Sequence, residues 1–310
     1  MKQKMKAVVS FLLALACFSS CHVTPTESSS EKGNSNISET STNLLDSSLE
    51  EEEAAVYEVL DSQDIPYYLN VRNKKVVMEL GCDIVFQAPY AITSNVECNY
   101  TEELIINGNG YSMTFLELEG VYQGLTLNKP GAKIIINDLT ICNQKRVSKG
   151  DRKIIYTSIN ATTVEYNNCT FDGPVRFLNN AKCTNCTFNN TNDTSNLDRY
   201  IIFFEPKDGN SYTMTLDGCT LSCPEGTYGL VKVYDEDRAG VNVHIKDTTF
   251  LENASSVADV YVDGNVCITT EGANIFSNNG TKALKASSEG VTLNGVAIEM
   301  GVTYTAEDIA

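Results

Sequence analysis

The sequence predicts an all-β fold: a coil of parallel strands that completes one turn per repeat, with a short N-terminal capping helix. Three observations predict it. A six-residue pattern recurs at long, uneven intervals. The stretches between its copies lack the apolar spacing of helices. From Val76 onward the apolar residues fall into short runs of strand length.

The N-terminus reads as an export leader. Lys2, Lys4 and Lys6 form a positive start, and Ala7 to Phe18 is apolar apart from Ser10. That run is too short to span a bilayer, which takes ~20 apolar residues. Phe18-Ser19-Ser20-Cys21 resembles a bacterial lipobox, in which small residues precede a cysteine that is lipidated and becomes the mature N-terminus. The resemblance implies Cys21 as the lipid acceptor, with Cys17 as the competing one. Phe18 stands where that family usually carries Leu.

Residues 22–48 follow as a tether. They hold eight Ser and four Thr and no aromatic side chain, so they bury too little to fold. Such a segment acts as a flexible spacer. The domain division is therefore 1–21 leader and lipobox, 22–48 tether, and 49–310 β-helix. The capping helix is expected at the start of the last part. Ser48 and Glu51 fit a capping box, and Glu50 to Glu53 place negative charge in a first helical turn. Ala55, Val56, Val59 and Leu60 form one apolar stripe through Asp61, and the helix should end before Pro66.

The repeat itself reads INDLTI at Ile136–Ile141, YNNCTF at Tyr166–Phe171 and CTNCTF at Cys183–Phe188. It returns as LDGCTL at Leu216–Leu221, IKDTTF at Ile245–Phe250 and LNGVAI at Leu293–Ile298, with looser copies at Ile106–Tyr111 and Thr270–Ile275. A coil of parallel strands tolerates uneven loops because only the strands must stack. The third position favours Asn, Asp or Gly, which suit a bend between faces. The period of two then points the fourth and sixth positions inward and the fifth outward. Leu139, Cys169, Cys186, Cys219, Thr248 and Val296 are expected to form one interior ladder. Ile141, Phe171, Phe188, Leu221, Phe250 and Ile298 should form a second, and Thr140, Thr170, Thr187, Thr220 and Thr249 an exposed row. Roughly nine turns at ~4.8 Å per strand give a stack ~45 Å long. A β-sandwich is the runner-up, but it requires hairpins where the chain has long intervals.

From about Val76 to Met300 this pattern resembles the right-handed parallel β-helix proteins of the pectate-lyase-like superfamily. There is also a likeness to the polymorphic outer-membrane adhesins, whose Phe-x-x-Asn signature Phe250–Asn253 and Phe276–Asn279 fit. The resemblance implies two function classes. One is adhesion or glycan and protein binding without catalysis. The alternative is a polysaccharide lyase or glycoside hydrolase, which would need carboxylate-bound calcium with an Arg or Lys base, or paired aspartates.

Composition weighs on that choice. With 23 Lys+Arg against 40 Asp+Glu the chain carries −17, and loss of the three leader lysines takes it to −20. This argues against phosphate-mediated nucleic-acid binding. Two histidines and no tryptophan make a poor catalytic kit. Neither Gly-His-Gly nor Asn-Thr-Asp occurs, and His244 is expected on an outward strand face. Asp235-Glu236-Asp237 beside Arg238 is the best acidic cluster, read as a charged turn ahead of a calcium site. Tyr122, Tyr156, Tyr200, Tyr212, Tyr228 and Tyr234 could line a sugar-stacking groove. Cys183-x-x-Cys186 and Cys219-x-x-x-Cys223 have the look of a four-thiolate zinc set, but Cys183, Cys186 and Cys219 occupy inward repeat positions where a small apolar side chain packs. No catalytic residue, cofactor or metal ligand is assigned. The expected partner is a surface glycan or a host or bacterial surface protein, reached from a lipid anchor on the cell envelope.

Overall fold

The computed structural model describes residues 54–69, 73–86, 101–115, 131–143, 163–173, 175–189, 200–206, 209–222, 229–251, 257–277 and 280–309. They belong to one compact unit, Glu50–Ala310. Cys17, Cys21, the tether, Ser48 to Glu53, Cys98, Cys223, Tyr122, Tyr156, Tyr228, Asn253 and Asn279 lie outside the described residues.

The fold is an all-β solenoid built from three sheets. Sheet A stacks ten parallel strands and ends on an eleventh, Val296–Ala297, that is antiparallel. Sheet B stacks seven parallel strands from Ile84–Phe86 to Thr249–Phe250. Sheet C runs in parallel from Val175–Phe177 to Leu284–Ala286 and closes on antiparallel Thr303–Tyr304. Nine steps between ten strands of sheet A span ~43 Å at ~4.8 Å each.

The repeat marks the corner between sheets A and B. Its first residues stack across sheet A: Ile106 beside Ile136, then Tyr166, Cys183, Leu216 and Ile245. Its third residues take the bend: Asp138, Asn168, Asn185, Gly218 and Asp247 all have φ between 46° and 65°. That left-handed region favours Gly, and among other residues Asn and Asp. Its fifth residues open sheet B, with Thr140, Thr170, Thr187, Thr220 and Thr249 in register. The turn from Tyr166 to Cys183 contains the strands Thr170–Asp172, Val175–Phe177 and Ala181–Thr184 and little else, so it is close to a minimal rung. Longer intervals elsewhere insert residues without disturbing the register.

Both interior ladders form along most of their length. Leu139, Cys169, Cys186, Cys219 and Thr248 are 0–1% exposed, as are Ile141, Phe171, Phe188, Leu221 and Phe250. The Phe171 and Phe188 rings stack at 4.7 Å and 1°, because in-register parallel strands hold identical side chains face to face. Each such ring contributes ~2–3 kcal/mol by leaving water.

Three expectations are corrected. The stretch Ala55–Val59 is a strand, paired residue for residue with Val76–Leu80, and the helix is Asp64–Leu69. An open sheet edge supplied partners for a β-branched and aromatic segment, and this outweighed local helix signals. Of the expected stripe Val59 is buried, whereas Val56 is 62% and Leu60 56% exposed. The actual helix starts on a reciprocal cap. Asp61 Oδ1 accepts from Gln63 N at 2.8 Å, and Asp64 Oδ2 accepts from Asp61 N at 2.9 Å. Pro66 falls in its first turn, where proline is tolerated. Ile65 enters the core and Tyr68 stacks on Tyr57 at 4.3 Å, so the helix still covers this end.

The second correction concerns the last repeat. Val296 is 68% exposed and Ile298 only partly buried, and Leu293 pairs with Ile268, not Thr270. Here the chain folds back as a hairpin that covers the sheet edge, which breaks the repeat's register. The tail completes the closure. Thr305 and Asp308 cap the helix Ala306–Ile309, Ile309 plugs the interior against Ile245, Phe276 and Leu293, and its carbonyl accepts from Thr270 Oγ1 at 2.9 Å. The third correction is smaller: the threonine row faces outward but is half-buried, since neighbours one strand apart shield one another.

Candidate binding faces

Each sheet presents an outward face, and the register decides what it displays. On sheet A, Asn107, Asn137 and Asn167 form an amide ladder. Asn167 Nδ2 donates to Asn137 Oδ1 at 2.9 Å, and Asn137 Nδ2 to Asn107 Oδ1 at 2.8 Å. Glu79 ends it by accepting from Asn107 at 2.6 Å. Thr184 breaks the ladder on the next strand, and its hydroxyl is buried without a partner among the described residues. Lys75–Glu103 and Lys133–Glu165 pair across the same face at 3.3 and 3.0 Å. His244 lies exposed between Thr215 and Thr269, as expected.

On sheet B, Ser112 joins the five threonines in one row of six hydroxyls at ~4.8 Å spacing. Asp83 Oδ1 holds its first member, accepting from Ser112 N at 2.8 Å and Oγ at 3.0 Å. Beside it run Thr114, Cys142, Asp172 and Asn189 in register, a second row with a single charge.

Sheet C differs, and the six-residue pattern does not reach it. The row on its side away from the interior alternates cation and aromatic, Arg176, Phe203, Lys232, Tyr261, Lys285, and of these Phe203 is buried. Arg176 Nε donates to Glu205 Oε2 at 2.7 Å, and Lys232 Nζ lies 3.8 Å from Glu205 Oε1 and 5.1 Å from the Tyr234 ring centre. The signal that could have found this row is the run of short β-branched and aromatic segments one turn apart, Val175–Phe177, Ile202–Phe204, Val231–Tyr234 and Val260–Asp263.

The candidate chemical residues resolve as follows. Asp235 is buried and accepts from Ala239 N at 3.2 Å and Gly240 N at 3.0 Å, while Asp237 accepts from Gly209 N at 3.1 Å. These carboxylates shape loops and do not converge on one point. Among the described residues the tyrosine groove does not assemble: Tyr212 is a core residue and Tyr200 is buried against Phe203 and Tyr261, leaving Tyr234 half-exposed. Phe250 and Phe276 stack in the core at 4.9 Å.

The cysteines have a specific structural task that sequence reasoning took only as packing. At four successive corners the fourth-position side chain donates to two carbonyls, one from its own rung and one from the rung before. Cys169 Sγ reaches Asn167 O and Ile136 O at 3.4 Å each. Cys186 reaches Tyr166 O at 3.4 Å and Thr184 O at 3.5 Å, and Cys219 reaches Cys183 O at 3.4 Å and Asp217 O at 3.7 Å. Thr248 Oγ1 makes the same pair with Lys246 O at 2.9 Å and Leu216 O at 3.2 Å. At these four corners the position suits a small side chain with a donor, whereas Leu139 fills it one rung earlier without one. Burial pushes the Cys183 thiol above its ordinary value, and the neighbouring thiols of Cys169, Cys183 and Cys219, together with burial, do the same to Cys186. Among the described residues no group of three or more His, Cys, Asp or Glu side chains is placed to hold a metal.

No protein-family model and no curated protein matches the chain. Among solved structures, a chain described as L. reuteri 53608 SRRP matches with 15% identity over 78% of this chain and 98% of that one, at a TM-score of 0.39. A likeness at that level carries no functional argument.

Proposed function

We propose that this chain is a bacterial cell-surface lipoprotein, anchored through Cys21, whose solenoid displays a regular face for adhesion to a surface glycan or surface protein without catalysis. The observation that carries this reading is the hydroxyl row of sheet B, which offers the same contact on each of six successive strands. A surface of that kind suits a partner that is itself repetitive. The acidic side chains best placed for chemistry support it too, since Asp235, Asp237 and Glu205 are occupied by groups of the protein itself. The acidic body and the tether agree with display away from an anionic membrane.

Two measurements test it. Cys21→Ala should move the protein from the membrane fraction to the soluble one. The soluble ectodomain should bind on glycan arrays or host-matrix panels, and Thr187→Arg with Thr220→Arg should abolish that binding while leaving the circular dichroism unchanged. Release of new reducing ends or unsaturated sugars from polysaccharides would instead establish an enzyme.

A further inference from the structure

Sheet A begins on Ala55–Val59, which pairs with Val76–Leu80 on one side only. In a parallel pair the backbone groups of successive residues face alternate sides. Val59 O accepts from Gly81 N at 3.0 Å, so Ala55, Tyr57 and Val59 direct their N–H and C=O groups at the neighbouring strand. Those of Val56 and Glu58 point the other way and have no partner among the described residues. Leu60, next in that series, donates its N–H to Asp64 Oδ2 at 2.9 Å, which ends the open run. Val56 is 62% exposed, and Glu58 is exposed with it. The helix Asp64–Leu69 covers the interior beside this strand through Ile65 and Tyr68. At its other end sheet A finishes on a two-residue strand, Val296–Ala297, too short to template another.

We propose that this edge takes an extended, basic segment of a partner protein as one more strand of sheet A. Main-chain pairing supplies the affinity, because Val56 and Glu58 each present a donor and an acceptor in the spacing of a strand. Side chains supply the selectivity. Residues of the added strand that face outward lie beside Val56 and Glu58, on the side of Val77 and Glu79. Those that face inward lie beside Tyr57, whose ring carries Tyr68 at 4.3 Å. The outward positions therefore suit Lys or Arg opposite Glu58, with Asp61 exposed just past the strand, and the inward positions suit apolar side chains. Lys75, at the start of the neighbouring strand, does not compete for these carboxylates, since it is engaged by Glu103 at 3.3 Å. The acidic body as a whole steers a cationic segment toward it. A second copy is the wrong occupant: it brings the same Glu58 and Asp61 to the far side of the seam, where like charges oppose pairing. One five-residue edge buries little surface, so the contact belongs to the weak, exchanging class.

The probe is a capped peptide of about seven residues alternating lysine and valine, long enough for a strand of usual length. It is titrated into the chain from residue 22 onward, which keeps the compact unit Glu50–Ala310 whole. Binding followed by NMR should saturate below about 1 mM and weaken with added salt. Amide exchange at Val56 and Glu58 should slow about tenfold, while the Tyr57 and Val59 amides, already bonded, change little. Val56→Pro removes an edge donor where an edge strand tolerates proline, and should weaken binding about tenfold with circular dichroism unchanged. Glu58→Lys should weaken it about fivefold. The same peptide fully N-methylated keeps its charge and loses every donor, and should not bind; this arm does not depend on any variant folding. Equal binding of the methylated peptide, or of one alternating glutamate and valine, overturns the proposal. So does the absence of binding at about 1 mM. A parent chain that dimerises in sedimentation, beside a Val56→Pro variant that does not, assigns the edge to a second copy and overturns it as well. None of these outcomes bears on ligand binding through sheet B.

Discussion

Replacing Thr248 by Val tests whether the corner donor stabilises the solenoid through its hydrogen bond or through its bulk. The hydroxyl lies 2.9 Å from Lys246 O and 3.2 Å from Leu216 O, fully buried, and its single proton is shared between them. Lys246 O also accepts from Gly218 N at 2.9 Å, so loss of the hydroxyl does not orphan that carbonyl. The cost is then a net hydrogen bond, ~1 kcal/mol, and not the larger penalty of a stranded polar group. For a folded body of this size that corresponds to a Tm lower by ~2–4 °C. Thermal unfolding by circular dichroism reads it. Thr248→Cys, which copies the rung before, should fall between Val and the parent, and Thr248→Ser should retain most of the stability. A Val variant at or above the parent Tm, or a Ser variant below the Val variant, refutes the donor argument and leaves packing as the cause.

Thr184→Asn should extend the amide ladder to a fourth member and pair a hydroxyl position now buried without a partner, raising Tm by ~2–4 °C; no gain in thermal unfolding would show that the ladder cannot accommodate the next amide. Ile309→Asp should expel the C-terminal plug, which costs ~2–3 kcal/mol in urea unfolding and promotes association through the opened end. The Cys183 thiol, raised by burial, has a defined sign: above the ordinary value of 9.0 the unfolded chain releases a proton that the folded one retains, so its contribution to stability is intact below that pH and falls above it. A urea midpoint that does not decline between pH 8.5 and pH 10 contradicts this. Native-state alkylation at pH 8 should spare Cys169, Cys183, Cys186 and Cys219, all 0–1% exposed, and label Cys82, Cys142 and Cys267 ahead of them, as read by mass spectrometry of the intact and digested protein.

The corner between sheets A and B was legible in the sequence because it imposes a separate demand on each of six consecutive residues. A left-handed bend needs Asn, Asp or Gly, an inward position on either side of the outward Thr needs a small or apolar side chain, and the demands recur once per turn. The same local logic failed at both ends. Ala55–Val59 carries sound helical signals, yet its partner strand lies twenty-one residues away, and no local pattern contains the energy of that pairing. Val296 sits in a convincing copy of the repeat, but the last rung must close an edge, so the chain turns back. Two of the expected groove tyrosines were misplaced for a related reason: burial depends on what lies over a residue, and Tyr200 and Tyr212 are covered.

The sequence by itself determined the all-β class, the parallel stacking and the members of the interior ladders up to the last rung, because these follow from a strand period and a bend residue repeated within a few positions. Only the tertiary structure decided which outward side chains become neighbours. Asn137 with Asn167, Lys232 with Tyr261 and Cys186 with Cys219 are each a full turn apart in the chain, and their adjacency is set by inter-strand register. Register is a sum over many backbone hydrogen bonds and a shared core. It is therefore a property of the stacked solenoid and not of any one segment in it.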